Sequence, residues 1–379
     1  MPGEKPGEAN LQVIVYEDKA WRFGMAIDNH RAESIGAEQA SIFVGHNNIS
    51  GHGDVFNLSV GVSDGNDNYS VDYTLPVTHR DLLFSVYHGF TDAIVIEAPF
   101  DDLDVESETW LAGMALTWPL LRELSQDLVL EGLFEFKENQ TRLLGRDFSL
   151  SPGAIDGESR AAIVGMTLDW VIRNESKVFA LRTSLRNGID ALDATLFRNN
   201  QDGTVEADGK FLTWTNQLQF VTRLASRTRL NTRLLWQHAF DPLLSFEKLS
   251  VGGANTVRGY RENFLVRDNG VVVNLELPVQ FPLEWGGVIE VMPFVDYGLS
   301  WDDVDTDITS KIRNTSDKRY ISSAGLSLTW RWRGLSANLT WAEPLSDNFE
   351  SAEDPSDNAS EHGLQDDGIH FYLTYTKRF

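Results

Sequence analysis

Trp21-Arg22-Phe23-Gly24-Met25-Ala26-Ile27-Asp28 places its bulky apolar side chains at every second position. Trp21, Phe23, Met25 and Ile27 fall on one face of an extended chain, and Arg22, Gly24, Ala26 and Asp28 on the other. Successive side chains of a strand point to opposite faces, so this period of two predicts a half-buried β-strand. The pattern recurs along the chain. Leu128, Leu130, Phe134 and Phe136 oppose Glu131, Glu135 and Lys137. Ala162, Val164, Met166, Leu168 and Trp170 oppose Thr167 and Asp169, and Leu230, Leu234, Trp236 and Phe240 oppose Asn231, Arg233 and Gln237. Two further strands are predicted around a polar tip, Asp64-Gly65-Asn66-Asp67-Asn68.

About 16 such segments of roughly ten residues follow one another, the length a tilted strand needs to cross a bilayer. Their connections alternate in length. Thr78–Asp81, Arg173–Ser176 and Arg331–Gly334 are short. Long connections run over 94–106, 138–159, 190–209, 241–269, 302–318 and 344–366. Short turns on one rim and long loops on the other predict an all-β fold, a 16-stranded antiparallel transmembrane barrel over residues 19–379. The competing architecture is a soluble sandwich whose apolar faces bury each other; so many strands in long-short order suit closure better.

Composition bounds the function. The 379 residues include no cysteine, which excludes disulfides and thiolate metal sites. A net charge of -24 argues against nucleic acid as a partner, since a phosphate backbone calls for a basic face. No apolar run is long enough for a transmembrane helix, and nothing at Met1–Lys5 has the form of a signal peptide. The charge is also uneven. Asp347, Glu350, Glu353, Asp354, Asp357, Glu361 and Asp366 crowd the last loop, whereas the short-turn rim carries Arg173, Lys177, Arg223, Arg227, Arg229, Arg331 and Arg333. Trp110, Trp118, Trp170, Trp214, Trp236, Trp285, Trp301 and Trp330 fall near strand ends or on outward faces, where membrane interfaces favour amphipathic rings.

Several chemical look-alikes fail on context. Gly61-Val62-Ser63-Asp64-Gly65 has the spacing of a nucleophile elbow, but a hairpin tip follows where a helix is required. Asp303, Asp305 and Asp307 open like a calcium loop, yet Ile308 stands at the glycine position and Asn314 at the closing glutamate. Histidines such as His46, His52 and His88 lack metal-ligand spacing, and no phosphate-cradling glycine pattern is present. No catalytic residue, metal or cofactor is expected.

One pair of motifs stands out. Val257-Arg258-Gly259-Tyr260 lies in the loop after the eleventh predicted strand, behind Gly252-Gly253. Phe294-Val295-Asp296-Tyr297-Gly298 lies in the thirteenth, where Glu290, Met292, Phe294, Asp296 and Gly298 share the lumen face. Gly298 leaves room beside Asp296 for a close approach. A guanidinium can fork onto a carboxylate with two charge-assisted hydrogen bonds. The residues alone leave two readings open: Arg258 on Asp296, or a solvated loop arginine and an ordinary pore-lining acid.

The two motifs, in the sixth loop of the long-loop rim and the thirteenth of 16 strands, resemble the outer-membrane transporter and assembly-factor superfamily. Within it the chain is most similar to two-partner secretion transporters of the hemolysin secretion/activation type. Gly51-His52-Gly53-Asp54 and the segment from Leu249 to Asp268-Asn269-Gly270 fit that branch. The resemblance implies a pore in the outer membrane of a Gram-negative bacterium, exporting a partner exoprotein received by periplasmic POTRA domains. It implies a sixth loop folded into the lumen, locked through Val257, Arg258, Gly259, Tyr260, Phe294, Asp296 and Gly298. It also implies that the end strand is an insertion signal read by the barrel-assembly machinery, through Gly368, Phe371, Leu373, Tyr375 and Phe379. Arg182, Arg186, Arg233, Glu131, Glu135 and Glu290 are expected to line a hydrated path. Residues 1–18, with Leu11, Val13 and Val15 on one face, are read as the tail of a POTRA domain and linker, which makes the chain a barrel portion. The alternatives are an assembly insertase of the same superfamily and a passive porin.

Overall fold

The computed structural model describes residues 19–78, 81–151, 153–196, 207–302, 318–347 and 368–379. The expected POTRA tail and linker over residues 1–18 and the acids Asp303, Asp305 and Asp307 lie outside the described residues. Sixteen spanning strands are formed. They are β1 (Trp21–Asp28), β2 (Gln39–Asn47), β3 (Val55–Ser63), β4 (Asn66–Pro76), β5 (Leu83–Ile94), β6 (Glu106–Arg122), β7 (Gln126–Leu143) and β8 (Glu158–Arg173). The second half comprises β9 (Lys177–Ile189), β10 (Leu212–Arg223), β11 (Arg229–Ala239), β12 (Asn269–Glu276, resumed over Val279–Pro282), β13 (Val288–Trp301), β14 (Arg319–Trp332), β15 (Leu335–Asp347) and β16 (Ile369–Arg378).

Each strand pairs antiparallel with the next, and β16 returns to β1, with Arg22 opposite Arg378 through to Asp28 opposite Tyr372. Phe379 N–H completes the seam on the Trp21 carbonyl at 2.9 Å. Closure leaves no unpaired edge, which a bilayer interior demands of any β-structure. Where β12 breaks at Leu277-Pro278, proline has no N–H to give, and Leu277 N–H still reaches Pro293 O at 3.0 Å.

Alternation now has a physical meaning. Met25, Met114, Trp118, Val295, Leu328 and Trp341 stay about half exposed, while neighbours such as Ala26, Ala115, Asp296 and Ala342 are buried. In a closed barrel the exposed apolar face is the outer one, the face a bilayer would meet. Aromatic rings gather toward its ends. Tyr69, His88, Phe90 and Trp110 pack together on β4 to β6, and Trp285, Trp330 and Trp332 cluster at the short-turn rim. Strands β6, β7 and β8, at 17, 18 and 16 residues, exceed the length of a crossing. Beyond Trp110 their outward residues turn ionic, with Arg142 on Glu108 and Arg160 on Glu158, both at 2.6 Å.

Two connections differ from expectation. The β3–β4 tip is only Asp64-Gly65, so Asn66, Asp67 and Asn68 belong to the ladder opposite Ser63, Val62 and Gly61. A two-residue Asp-Gly turn suffices to reverse a hairpin, which puts one tight turn on the long-loop rim. Conversely, the β2–β3 connection over 48–54 is longer than its neighbours on the short-turn rim. It is held by Asp54, buried, which accepts from Ser50 N at 2.9 Å, and by Asn48, which accepts from Gly53 N at 2.7 Å. Local side-chain bonds of this kind stabilise a turn without ladder pairing.

Candidate functional site

The site forms where the β11–β12 loop meets the inward faces of β11 to β15. On β13, Phe294, Asp296 and Gly298 alternate with the outward Val295 and Tyr297. Asn274 of β12 stands directly opposite Asp296, and Glu276 opposite Phe294. Asp296 has no exposed surface, so its charge requires partners. They come from the loop and from β12. Arg258 donates from its backbone N (3.1 Å) and Nε (2.7 Å) to Asp296 Oδ2, and from Nη2 (2.8 Å) to Oδ1. Asn274 Nδ2 adds a bond to Oδ1 at 2.8 Å and another to the Thr256 carbonyl at 2.6 Å.

Arg258 itself is buried and shared. Its Nη2 lies 3.1 Å from Glu276 Oε1, which also takes Arg233 Nη2 at 3.2 Å. Two cations therefore face two carboxylates, and the cluster is neutral as a whole. The Phe294 ring stacks on the guanidinium, with Cζ 3.5 Å from its centroid. A planar delocalised cation suits such a slot, because its edges hydrogen-bond while its face meets a ring.

Backbone geometry brings the arginine there. A short hairpin, Leu249–Val251 against Leu265–Arg267, carries the loop. Its tip turns tightly, with Gly253 N on Val257 O at 3.1 Å and Gly252 N on Thr256 Oγ1 at 2.8 Å. Gly259 then adopts φ +90 against Ala342, a conformation that an L side chain rarely holds. Val257 and Tyr260 are completely buried with Val251, Leu249, Leu265, Val272 and Ile321. The Tyr260 hydroxyl donates to the Ser322 and Ser346 carbonyls at 3.1 and 3.0 Å. Gly298 is the floor of this packing: a Cβ there would stand 2.4 Å from Val251 Cγ1 and 2.9 Å from Val257 Cγ2.

Val257, Arg258, Gly259, Tyr260, Phe294, Asp296 and Gly298 are thus all brought together. The residues expected along a hydrated path divide. Arg182 is about half exposed and forks onto Asp169 at 2.8 and 2.9 Å, and Glu131 accepts from Thr117 Oγ1 at 3.1 Å. Glu290 is buried under Arg229, Arg331 and Gln280. Arg233 belongs to the Arg258 cluster. Arg186 lies against the loop, bridging Glu135 of β7 to Glu247, a loop residue the motifs do not single out. Phe371, Leu373, Tyr375 and Phe379 stand at the seam, Leu373 opposite Ile27 and Tyr375 opposite Met25, whereas Gly368 precedes β16 and accepts from Ala342 N of β15 at 2.8 Å. Among the described residues no cluster of His, Asp or Glu could hold a metal ion.

A closed antiparallel barrel with an apolar exterior, aromatic ends and an ionic interior is an outer-membrane β-barrel. The profile of the haemolysin secretion/activation protein family ShlB/FhaC/HecB matches residues 7–328. The chain belongs to that family, the outer-membrane transporters of two-partner secretion. It is 23% identical over 354 residues to the heme/hemopexin transporter protein HuxB of Haemophilus influenzae, covering 93% of this chain and 61% of the relative. The chain therefore spans about three-fifths of the length of that relative. Among solved structures, CdiB from Escherichia coli superposes with a TM-score of 0.80 at 18% identity, covering 99% of this chain and 66% of that one. BamA from Haemophilus ducreyi lacking POTRA domains 1-3 gives 0.65 at 14%, covering 95% and 71%. These likenesses are of fold.

Proposed function

We propose that this barrel is the membrane pore through which a partner exoprotein leaves the cell, and that the β11–β12 loop is a lock lodged in its lumen. The observation that carries the reading is the charge-neutral cluster in which Arg258, Asp296 and Glu276 are buried and the partly exposed Arg233 completes the charge balance. A passive porin has no need to tie an internal loop to its wall by a fully desolvated ion pair. Ser59, Ser70 and Ser85 on the interior of β3 to β5 offer an extended client hydroxyls. No covalent step is involved. Phe371, Leu373 and Tyr375 on the outward face of β16, with the terminal Phe379, serve as the signal through which assembly machinery inserts the barrel.

The test is export of the partner, co-expressed with the full-length protein that contains this barrel. Appearance of the partner in the medium, dependent on the barrel, is the expected result. Retention of the partner in the periplasm while the purified barrel passes a large, steady current would favour a porin and overturn the reading.

A further inference from the structure

The Arg258 cluster holds only one end of the loop. Its other end, the stem 241–248, is held by a separate set of groups. Leu243 and Leu244 are fully buried among Ala161 and Ile163 of β8, Phe211 and Ala239. From this apolar footing Glu247 reaches two more strands. Its Oε1 takes Lys137 Nζ of β7 at 2.7 Å, and its Oε2 takes Arg186 Nε of β9 at 3.3 Å. Arg186 also forks onto Glu135 at 3.2 and 3.3 Å, with Lys137 Nζ 3.4 Å away and the Tyr87 hydroxyl donating at 3.2 Å. Glu135 and Glu247 side chains are 7% and 6% exposed. Again two cations meet two buried carboxylates, here with Lys137 and Arg186 mostly buried as well.

The two clusters sit on different walls. One is on β11, β12 and β13, the other on β7 and β9, with the loop running between them. A loop held only at its hairpin, by Arg258 on Asp296 and by Arg261 on Glu33 and Glu97 at the long-loop rim, could still swing its stem away from β7 and β9. Tied at both ends, it cannot.

We propose that the loop is a two-ended brace and that Glu247 is its second positioning residue, which must leave β7 and β9 before a client can pass. This rests on the loop acting as a luminal lock. The reason is geometric: Glu247, its carbonyl pinned by Gln237 Nε2 at 3.1 Å, carries the charge of the stem to β7 and β9 in the barrel wall, whereas Arg261 pairs with Glu33 and Glu97 in the connections of the long-loop rim.

Single-channel recording of the purified barrel in planar bilayers tests this without a client. Glu247→Gln should raise the open fraction severalfold over wild type, as should Arg258→Ala, with heat-modifiable migration on gels confirming a folded barrel. Because the chain has no cysteine, a Lys137→Cys/Glu247→Cys variant can be bridged specifically by a bis-methanethiosulfonate reagent. Before bridging it should conduct, after bridging fall silent, and after reduction conduct again. If Arg258→Ala opens the pore while Glu247→Gln and the bridge change nothing, the brace is wrong and the lock stands. If none of the variants changes the current, the lock reading fails with it. The bridged variant keeps the test open should Glu247→Gln fail to fold.

Discussion

Arg258 meets Asp296 through three hydrogen bonds, two from the guanidinium at 2.7 and 2.8 Å and one from its own backbone N at 3.1 Å. The residues are 38 positions apart, on a loop and on the strand it folds against. Truncating one partner of a buried ion pair strands the other charge, at a cost of about 3–5 kcal/mol. Arg258→Ala and Asp296→Ala are therefore expected to unseat the loop while the barrel ladder, which neither residue's side chain builds, stays intact. Limited proteolysis of inserted barrel should show new cleavage within 249–268 and an unchanged heat-modifiable band. Unaltered protection of the loop in both variants would contradict this.

Arg258→Lys should not rescue. An ammonium is a point charge and cannot reach both Asp296 oxygens and Glu276 while lying flat on the Phe294 ring. Loop protection is expected between that of wild type and the alanine variant, with partner export reduced. Full export with lysine would show that charge alone suffices.

Gly298→Ala tests packing without touching charge. Its new Cβ would overlap Val251 and Val257, and overpacking of this kind costs about 1–3 kcal/mol. The same protease sites should open, less than with Arg258→Ala. A companion change, Val251→Ala, should restore part of the protection, because the nearest clashing methyl is Val251 Cγ1.

By contrast, the loop tip should tolerate change. Arg261 pairs with Glu97 at 2.8 Å and with Glu33, carboxylates 26% and 30% exposed. Partly solvated pairs contribute about 0.2–1 kcal/mol. Arg261→Ala should leave loop protection and export near wild type, and a loss matching that of Arg258→Ala would refute the ranking.

At the outer base of the loop, burial, together with the facing Asp302 carboxylate, pushes the Asp268 carboxyl up to about 6 against the pull of Lys248. An ordinary aspartate titrates near about 3.9. Its folded pKa being the higher, ionised Asp268 costs stability above about 6, and protonation relieves that cost as pH falls from about 7 toward 4. Asp302 shifts the other way, held down by Arg267 and the Asp268 backbone N–H despite burial, so its contribution is lost only below the ordinary carboxylate range. Amide exchange in 241–268 should therefore slow between pH 7 and 5 after correction for intrinsic rates. Asp268→Asn should abolish that slope.

Much of this architecture is legible in the sequence because a strand's period of two sorts residues by face without knowledge of the partner strand. That sorting alone puts Glu290, Phe294, Asp296 and Gly298 on one side of β13 and Val295 and Tyr297 on the other. Connection lengths are less legible. The β3–β4 tip looks longer than it is because Asn66, Asp67 and Asn68 are turn-forming residues that here pair as a strand. Glu247 is illegible for a different reason. Its partners Lys137 and Arg186 lie 110 and 61 residues away, and no periodicity reports which wall a loop residue crosses to. A single acid in a polar loop carries no local mark of that role.

Export by a double-mutant cycle tests the central claim most directly. The full-length protein is compared as wild type, Arg258→Ala, Asp296→Ala and the double variant, with secreted partner measured against inserted barrel. If the two residues act as one lock, each single change lowers export strongly and the double is no worse than either, because coupled residues are not additive. Wild-type export by both single variants, or losses that multiply in the double, would contradict the account.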